Sequence, residues 1–84
     1  MSYHLVLKRS AEKELDNLPK SLFDRINRKI LSLEQDPRPF GIQKLHGQEV
    51  YRLRVGDYRI LYVLDDAAKR VEITSVGHRR DVYR

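Results

Sequence analysis

Eighty-four residues make one small domain and no more. Seventeen Lys and Arg against twelve Asp and Glu leave a net charge of +5, which favours a polyanionic partner such as nucleic acid or an acidic protein. The chain has no cysteine, which excludes a disulfide framework and a thiolate zinc site. No apolar run approaches ~18 residues and there is no signal-peptide h-region, so a cytoplasmic protein without a membrane partner is expected.

Residues 3–8, Tyr-His-Leu-Val-Leu-Lys, read as a short first strand. Ser10 is placed to cap a helix, with Glu12 and Glu14 in the first turn where the helix dipole favours negative charge. The third residue after Ser10 is Lys13, so the capping box is incomplete. Ala11, Leu15 and Leu18 share one face, and Pro19 ends the element. A second helix over residues 20–35 carries Leu22, Phe23, Ile26, Ile30 and Leu33 at helical spacing, with Arg25, Arg28 and Lys29 elsewhere on its surface. The two form a helical hairpin. Asp36-Pro37-Arg38-Pro39-Phe40-Gly41 breaks the pattern and opens a loop through residue 49, with Leu45 expected as its anchor in the core.

Three strands follow, over residues 50–55, 58–64 and 70–77. In the first, Leu53 and Val55 take one face while Arg52 and Arg54 take the other. Gly56 and Asp57 fit a two-residue II′-type turn with glycine first. The hairpin brings Arg59 beside Arg52 and Arg54. Three guanidiniums in one patch present planar forks of donors suited to phosphate oxygens. Massed like charge on a sheet face costs stability unless an anion offsets it. Ile60-Leu61-Tyr62-Val63-Leu64 is apolar throughout, so this strand is expected at the centre, covered on both faces.

The order strand, two helices, three strands implies an α+β domain with the helices on one face of a small four-stranded sheet. Leu53, Val55, Ile60, Tyr62 and Leu64 would pack under the helices. Arg52, Arg54 and Arg59 would surround Leu61 and Val63 on the other face. Tyr51, Tyr58 and Tyr62 are expected to pack, although one could stack on a base. Arg25, Arg28 and Lys29 are either a solvated helix surface or contacts to nucleic-acid phosphates, and Lys44 and Arg38 in the long loop carry the same pair of readings. His4 and His46 lie far apart in sequence without a third ligand, so they are read as structural and no metal site is expected.

The block Tyr51-Arg52-Leu53-Arg54-Val55-Gly56-Asp57-Tyr58-Arg59-Ile60-Leu61-Tyr62, with Val76-Gly77-His78-Arg79-Arg80-Asp81-Val82-Tyr83, resembles the RelE/ParE superfamily of bacterial toxins. The resemblance spans essentially the whole chain, and the Gly-His-Arg-x-x-x-Tyr ending is similar to the RelE branch. It implies a type II toxin that cleaves messenger RNA in the ribosomal A site, inhibits translation, and needs no metal or organic cofactor. Its implied partners are the ribosome, mRNA and a small RelB-like antitoxin, with operator DNA reached only through the antitoxin complex. The resemblance places the site on Arg52, Arg54, Arg59, Arg79 and Tyr83, with His78 beside them.

The implied reaction is attack by a ribose 2′-hydroxyl on the adjacent phosphorus, leaving a 2′,3′-cyclic phosphate and a free 5′-hydroxyl. RelE-type toxins often carry lysine at the two strand positions that are Arg52 and Arg54 here. Lysine crowded by cations can lose its proton and arginine effectively cannot, so these two are cast as electrostatic stabilisers, with Arg59 and Arg79 clamping the phosphate. Tyr83, whose ordinary pKa near ~10 would fall beside guanidiniums, is the expected base. His78, which titrates near neutrality, or Arg79 would serve the leaving oxygen. The alternatives are a ParE-like gyrase inhibitor that performs no hydrolysis, and a silent member that only binds antitoxin and DNA.

Overall fold

The structure is a computed structural model and describes residues 2–45 and 49–78. The chain runs through strand β1 (His4–Leu7), helices α1 (Arg9–Asp16) and α2 (Lys20–Ser32), and strands β2 (Gln43–Lys44), β3 (Val50–Val55), β4 (Tyr58–Asp65) and β5 (Arg70–His78). The sheet order is β1-β5-β4-β3-β2, with β1 parallel to β5 and every other pair antiparallel. The expected α+β architecture is present, with one addition. The two-residue β2 pairs with β3 and makes five strands instead of four.

Helix α1 begins at Arg9, two residues earlier than Ser10 suggests, with Lys8 at the cap position and no side-chain cap. The Lys8 N–H is still engaged by the sheet, donating to the Ile73 carbonyl at 2.9 Å. Only Lys8 stands between β1 and the helix, and its side chain has no capping hydroxyl. Pro19 opens α2 rather than closing α1. It stands at the cap position, where its fixed φ is compatible with helix entry, and its carbonyl accepts from the Phe23 N–H at 2.8 Å. Helix α2 ends at Ser32, short of residue 35, as the Glu34 and Gln35 N–H groups reach back only three residues, to Leu31 and Ser32.

The helices supply Ala11, Leu15, Ile26, Ile30 and Leu33 to the core, against Leu53, Val55, Ile60, Tyr62, Leu64, Val71, Ile73 and Val76 from the sheet. Burying a side chain such as Ile26 or Ile73 stabilises by about 1.5–3 kcal/mol. Strand β4 is central, as its composition predicts, but it is not covered on both faces. Leu61 and Val63 stay half-buried, because both helices lie on one side of the sheet.

Strand β5 holds a departure with consequences for the site. Leu61 pairs with Ser75 and Tyr62 with Ile73, so Thr74 is an extra residue in a β-bulge. The core side chains of β5 are accordingly Val71, Ile73 and Val76, not a strict every-second series. The bulge is held by hydrogen bonds: Thr74 Oγ1 donates to the Leu61 carbonyl at 3.2 Å. Glu14 Oε1 of α1 accepts from Ser75 Oγ at 3.3 Å and from the Val76 N–H at 3.0 Å. Strand β1 has ended by this point, and Glu14 takes its place along that edge.

The long loop is anchored by Ile42, which packs against the core, rather than by Leu45. Tyr62, fully buried and stacked on Tyr51 with ring centroids 5.8 Å apart, donates from its hydroxyl to the Pro37 carbonyl at 2.9 Å. Burial pushes the Tyr62 hydroxyl well above the ordinary tyrosine range. Arg38 lies over the Tyr51 ring and grips Asp66 in a two-pronged ion pair at 2.8 and 3.2 Å. Asp66 also accepts from the Tyr3 hydroxyl at 2.6 Å. The Arg38 and Tyr3 hydrogen bonds hold the Asp66 carboxyl at about 2. Among the described residues, no helix is long and apolar enough to cross a membrane.

Candidate functional site

The hairpin of β3 and β4 builds the site. Val55 pairs with Tyr58, leaving Gly56 and Asp57 as a two-residue turn. Gly56 has φ of +60° and Asp57 does not share the positive sign, the signature of the II′ turn. Next along each strand, the register sets Arg54 directly opposite Arg59, and Arg52 opposite Leu61. Strand alternation therefore gathers Arg52, Arg54 and Arg59 on the face away from the helices.

The three arginines differ in environment. Arg54 is exposed, and its Nε donates to the Gly56 carbonyl at 3.4 Å. Arg52 is half-buried and donates from Nη2 to the side-chain oxygen of Gln43, its cross-strand partner on β2. Arg59 is only 9% exposed. Its neighbour on β5 is Gly77, which puts no side chain on that flank. Two arginines directly opposite on adjacent strands, one of them buried, form an arrangement a sheet adopts at a cost.

Arg25 extends the charge around the end of the sheet. Its guanidinium stands over the turn, and a Cβ at Gly56 would meet it at 3.6–3.9 Å. Arg28 and Lys29 follow, exposed, on α2. Lys44 does not join the arginines. It pairs across from the buried Tyr51 and forms an ion pair with Glu49 at 3.1 Å, while Glu49, held below the usual carboxylate range by Lys44 and by the Tyr51 hydroxyl, links it toward Arg38. Arg38 is likewise committed to Asp66.

His78 lies elsewhere than expected. The register pairs it with Tyr58, and the two rings meet edge to face at 5.6 Å. Tyr58 packs on the core, so His78 shares the helix-side face, one position out of phase with Gly77 and Arg59. The bulge at Thr74 causes this: one extra residue moves every later side chain of β5 to the opposite face. Arg79 and Tyr83 lie outside the described residues, as does His46. Among the described residues, no three His, Asp or Glu side chains gather as a metal-ligand set. The grip of Gln43 on Arg52 is a contact that sequence pattern does not foretell. A two-residue strand inside a long loop has no periodicity by which to find it.

The chain matches, over residues 5–83, the family model described as the ParE toxin of the type II toxin–antitoxin system parDE. It is 30% identical over 84 residues to the toxin RelE of Mycobacterium tuberculosis, covering 98% of this chain and 87% of that one. In structure it is similar to the archaeal RelE of a RelE–RelB complex from Pyrococcus horikoshii, with a TM-score of 0.84 and 31% identity over 98% of this chain and all of that one. The isolated RelE toxin of E. coli superposes with a TM-score of 0.81 at 28% identity, over 98% of this chain and 92% of that one. A family match across almost the full length, joined to a fold and an arginine hairpin of this kind, makes this chain a member of the RelE/ParE superfamily, the toxins of type II toxin–antitoxin systems.

Proposed function

We propose that this toxin is a ribosome-dependent, metal-independent endoribonuclease that cleaves mRNA in the A site, and that a RelB-like antitoxin neutralises it by covering the basic face. The observation that carries the reading is the pairing of Arg54 with Arg59, flanked by Arg52 on the same face. An arrangement that costs stability alone is relieved by a phosphate, and more so by the phosphorane-like transition state, where negative charge builds between the forks. Arg52, Arg54 and Arg59 would stabilise that charge, with no need to lose a proton. The base would be Tyr83. The position of His78 beside Tyr58 favours Arg79 for the leaving 5′-oxygen, as a donor to the developing alkoxide. Arg25, Arg28 and Lys29 would contact ribosomal RNA phosphates, with the steep salt dependence such contacts carry. The RelE–RelB complexes among the similar structures support an antitoxin as partner.

The second reading, a gyrase inhibitor without hydrolysis, draws on the ParE description of the matched family. Primer extension on mRNA from cells expressing the toxin separates the two. New 5′ ends within codons, absent for the Arg59→Ala, Arg79→Ala double variant, are the expected result. DNA breaks and an SOS response without mRNA cleavage would overturn it in favour of the gyrase reading.

A further inference from the structure

The arginines occupy one end of the sheet face that lies away from the helices. Farther along that face the side chains are Val6, Val50, Leu61, Val63 and Glu72, placed there by alternation because their chain neighbours pack in the core. The register draws them together: Val6 pairs with Glu72, Glu72 with Val63, and Val63 with Val50. Leu61 stands two residues from Val63 and directly across from Arg52. All are half-buried. Glu72 is thus a carboxylate set between two valines inside a sheet, where glutamate is disfavoured. The neighbouring polar side chains of β5 are occupied within the fold. Thr74 Oγ1 donates to the Leu61 carbonyl, Ser75 Oγ donates to Glu14, and Arg70 lies 4.0 Å from the Asp65 carboxylate. Among the described residues, no hydrogen bond or ion pair engages the Glu72 carboxylate.

We propose that Glu72 reads a nucleobase beside the scissile phosphate, accepting from the N1–H and 2-amino group of a guanine laid across Leu61 and Val63. A nucleotide carries an anion at one end and a base edge at the other, and this face has the matching polarity. Guanidiniums stand where the phosphate lies. The carboxylate repels the backbone but welcomes a base edge that can donate. From Arg52 to Glu72 the register spans two strand spacings across and two residues along, about 12 Å between Cα atoms. One nucleotide bridges that span, with its phosphate toward Arg52 and its base edge at Glu72. The aliphatic side chains between them cover the base, the kind of packing that holds an unstacked base in nucleic-acid enzymes. Chemistry then selects the base. A carboxylate only accepts, through two oxygens side by side. Guanine presents two adjacent donors, whereas adenine and cytosine present one amino group each and uracil one N–H between two carbonyls.

The inference rests on the proposed RNA cleavage, and the experiment tells the two apart. The full-length protein, as wild type, Glu72→Gln and Glu72→Ala, is assayed on programmed ribosomes whose A-site codon carries G, A, C, U or inosine at each position in turn. Wild-type protein that cleaves no mRNA contradicts the proposed function itself. Given wild-type cleavage, guanine at one codon position is favoured by roughly tenfold or more in kcat/KM, as a bidentate contact provides. Inosine, which lacks the 2-amino group, falls between guanine and the other bases. Glu72→Gln, whose amide offers one donor and one acceptor, shifts the preference at that position toward adenine, and Glu72→Ala levels the bases. A guanine preference absent from wild type, or unchanged in both variants, overturns the inference. So does a uniform loss of rate at every codon, which marks a structural role. Weaker binding of the cognate antitoxin by Glu72→Ala with the codon preference intact assigns Glu72 to that protein interface and overturns it as well. Because codons are compared within each protein, partial unfolding of a variant leaves the ratios unaffected.

Discussion

Arg54→Thr should make the fold more stable while weakening the toxin. The register places Arg54 directly across from Arg59, where side chains on adjacent strands start about 4.5–5.5 Å apart at Cβ. Two unit charges about 6 Å apart repel by roughly 0.7 kcal/mol at the dielectric constant of water, and by more where the surroundings are less polarisable. Arg59, at 9% exposure, brings one of the two charges into such surroundings. Removing Arg54 also removes its bond to the Gly56 carbonyl, but at 3.4 Å and exposed that bond contributes little. Threonine adds a modest gain as a strand former. The net is about 0.5–1 kcal/mol, which for a domain of this size raises Tm by roughly 2–8 °C. Calorimetry or circular dichroism at low salt and near 1 M salt measures it, because at high salt the Debye length falls to about 3 Å and the electrostatic share of the gain should shrink. Loss of stability at low salt, or a gain indifferent to salt, would refute the view that charge opposition strains this hairpin.

Other outcomes follow from the same contacts. Tyr62→Phe removes the donor to the Pro37 carbonyl and should cost about 1–2 kcal/mol in denaturant unfolding; an unchanged midpoint would show that the loop is not held there. Gly56→Ala forces a side chain into the left-handed region at φ of +60° and should cost about 1–2 kcal/mol; a neutral effect would contradict the turn geometry. The Asp66 carboxyl titrates at about 2, depressed by Arg38 and Tyr3. Its folded pKa lies below the unfolded value near ~3.9, so its contribution is present above that pH and is lost as pH falls through about 2. Unfolding followed between pH 5 and 2 should show a slope in wild type that Asp66→Asn reduces; equal slopes would refute the depressed carboxyl.

The hairpin is legible in the sequence because three signals agree there: alternation in β3, a Gly-Asp pair at the turn, and an unbroken apolar run in β4. Ser10 misleads because capping propensity is local, whereas the Lys8 N–H is claimed by a ladder bond to Ile73, a residue far along the chain. Strand β2 escapes because two residues show no period, and with it goes Gln43. The most instructive miss is His78. Counting by twos from Val71 and Ile73 puts it on the face of the arginines, and only the extra residue at Thr74 reverses that. Nothing in Ile73-Thr74-Ser75-Val76 announces a bulge, since Ser and Thr sit as readily on either face of a strand. The acceptor that receives Ser75 and Val76 is Glu14, sixty-two positions before Val76. Local pattern thus reads the charge-bearing part of the site, and tertiary contacts decide what stands beside it.

If the arginine face lowers the barrier to phosphodiester cleavage by charge alone, the cleaved ends carry the signature. End-group analysis of mRNA cut by the purified protein on programmed ribosomes, with and without EDTA, reads it directly. Charge stabilisation of 2′-hydroxyl attack gives 2′,3′-cyclic phosphate and 5′-hydroxyl ends, formed at the same rate in either condition and lost in Arg59→Ala. Ends bearing a 5′-phosphate, or cleavage that EDTA abolishes, would contradict it.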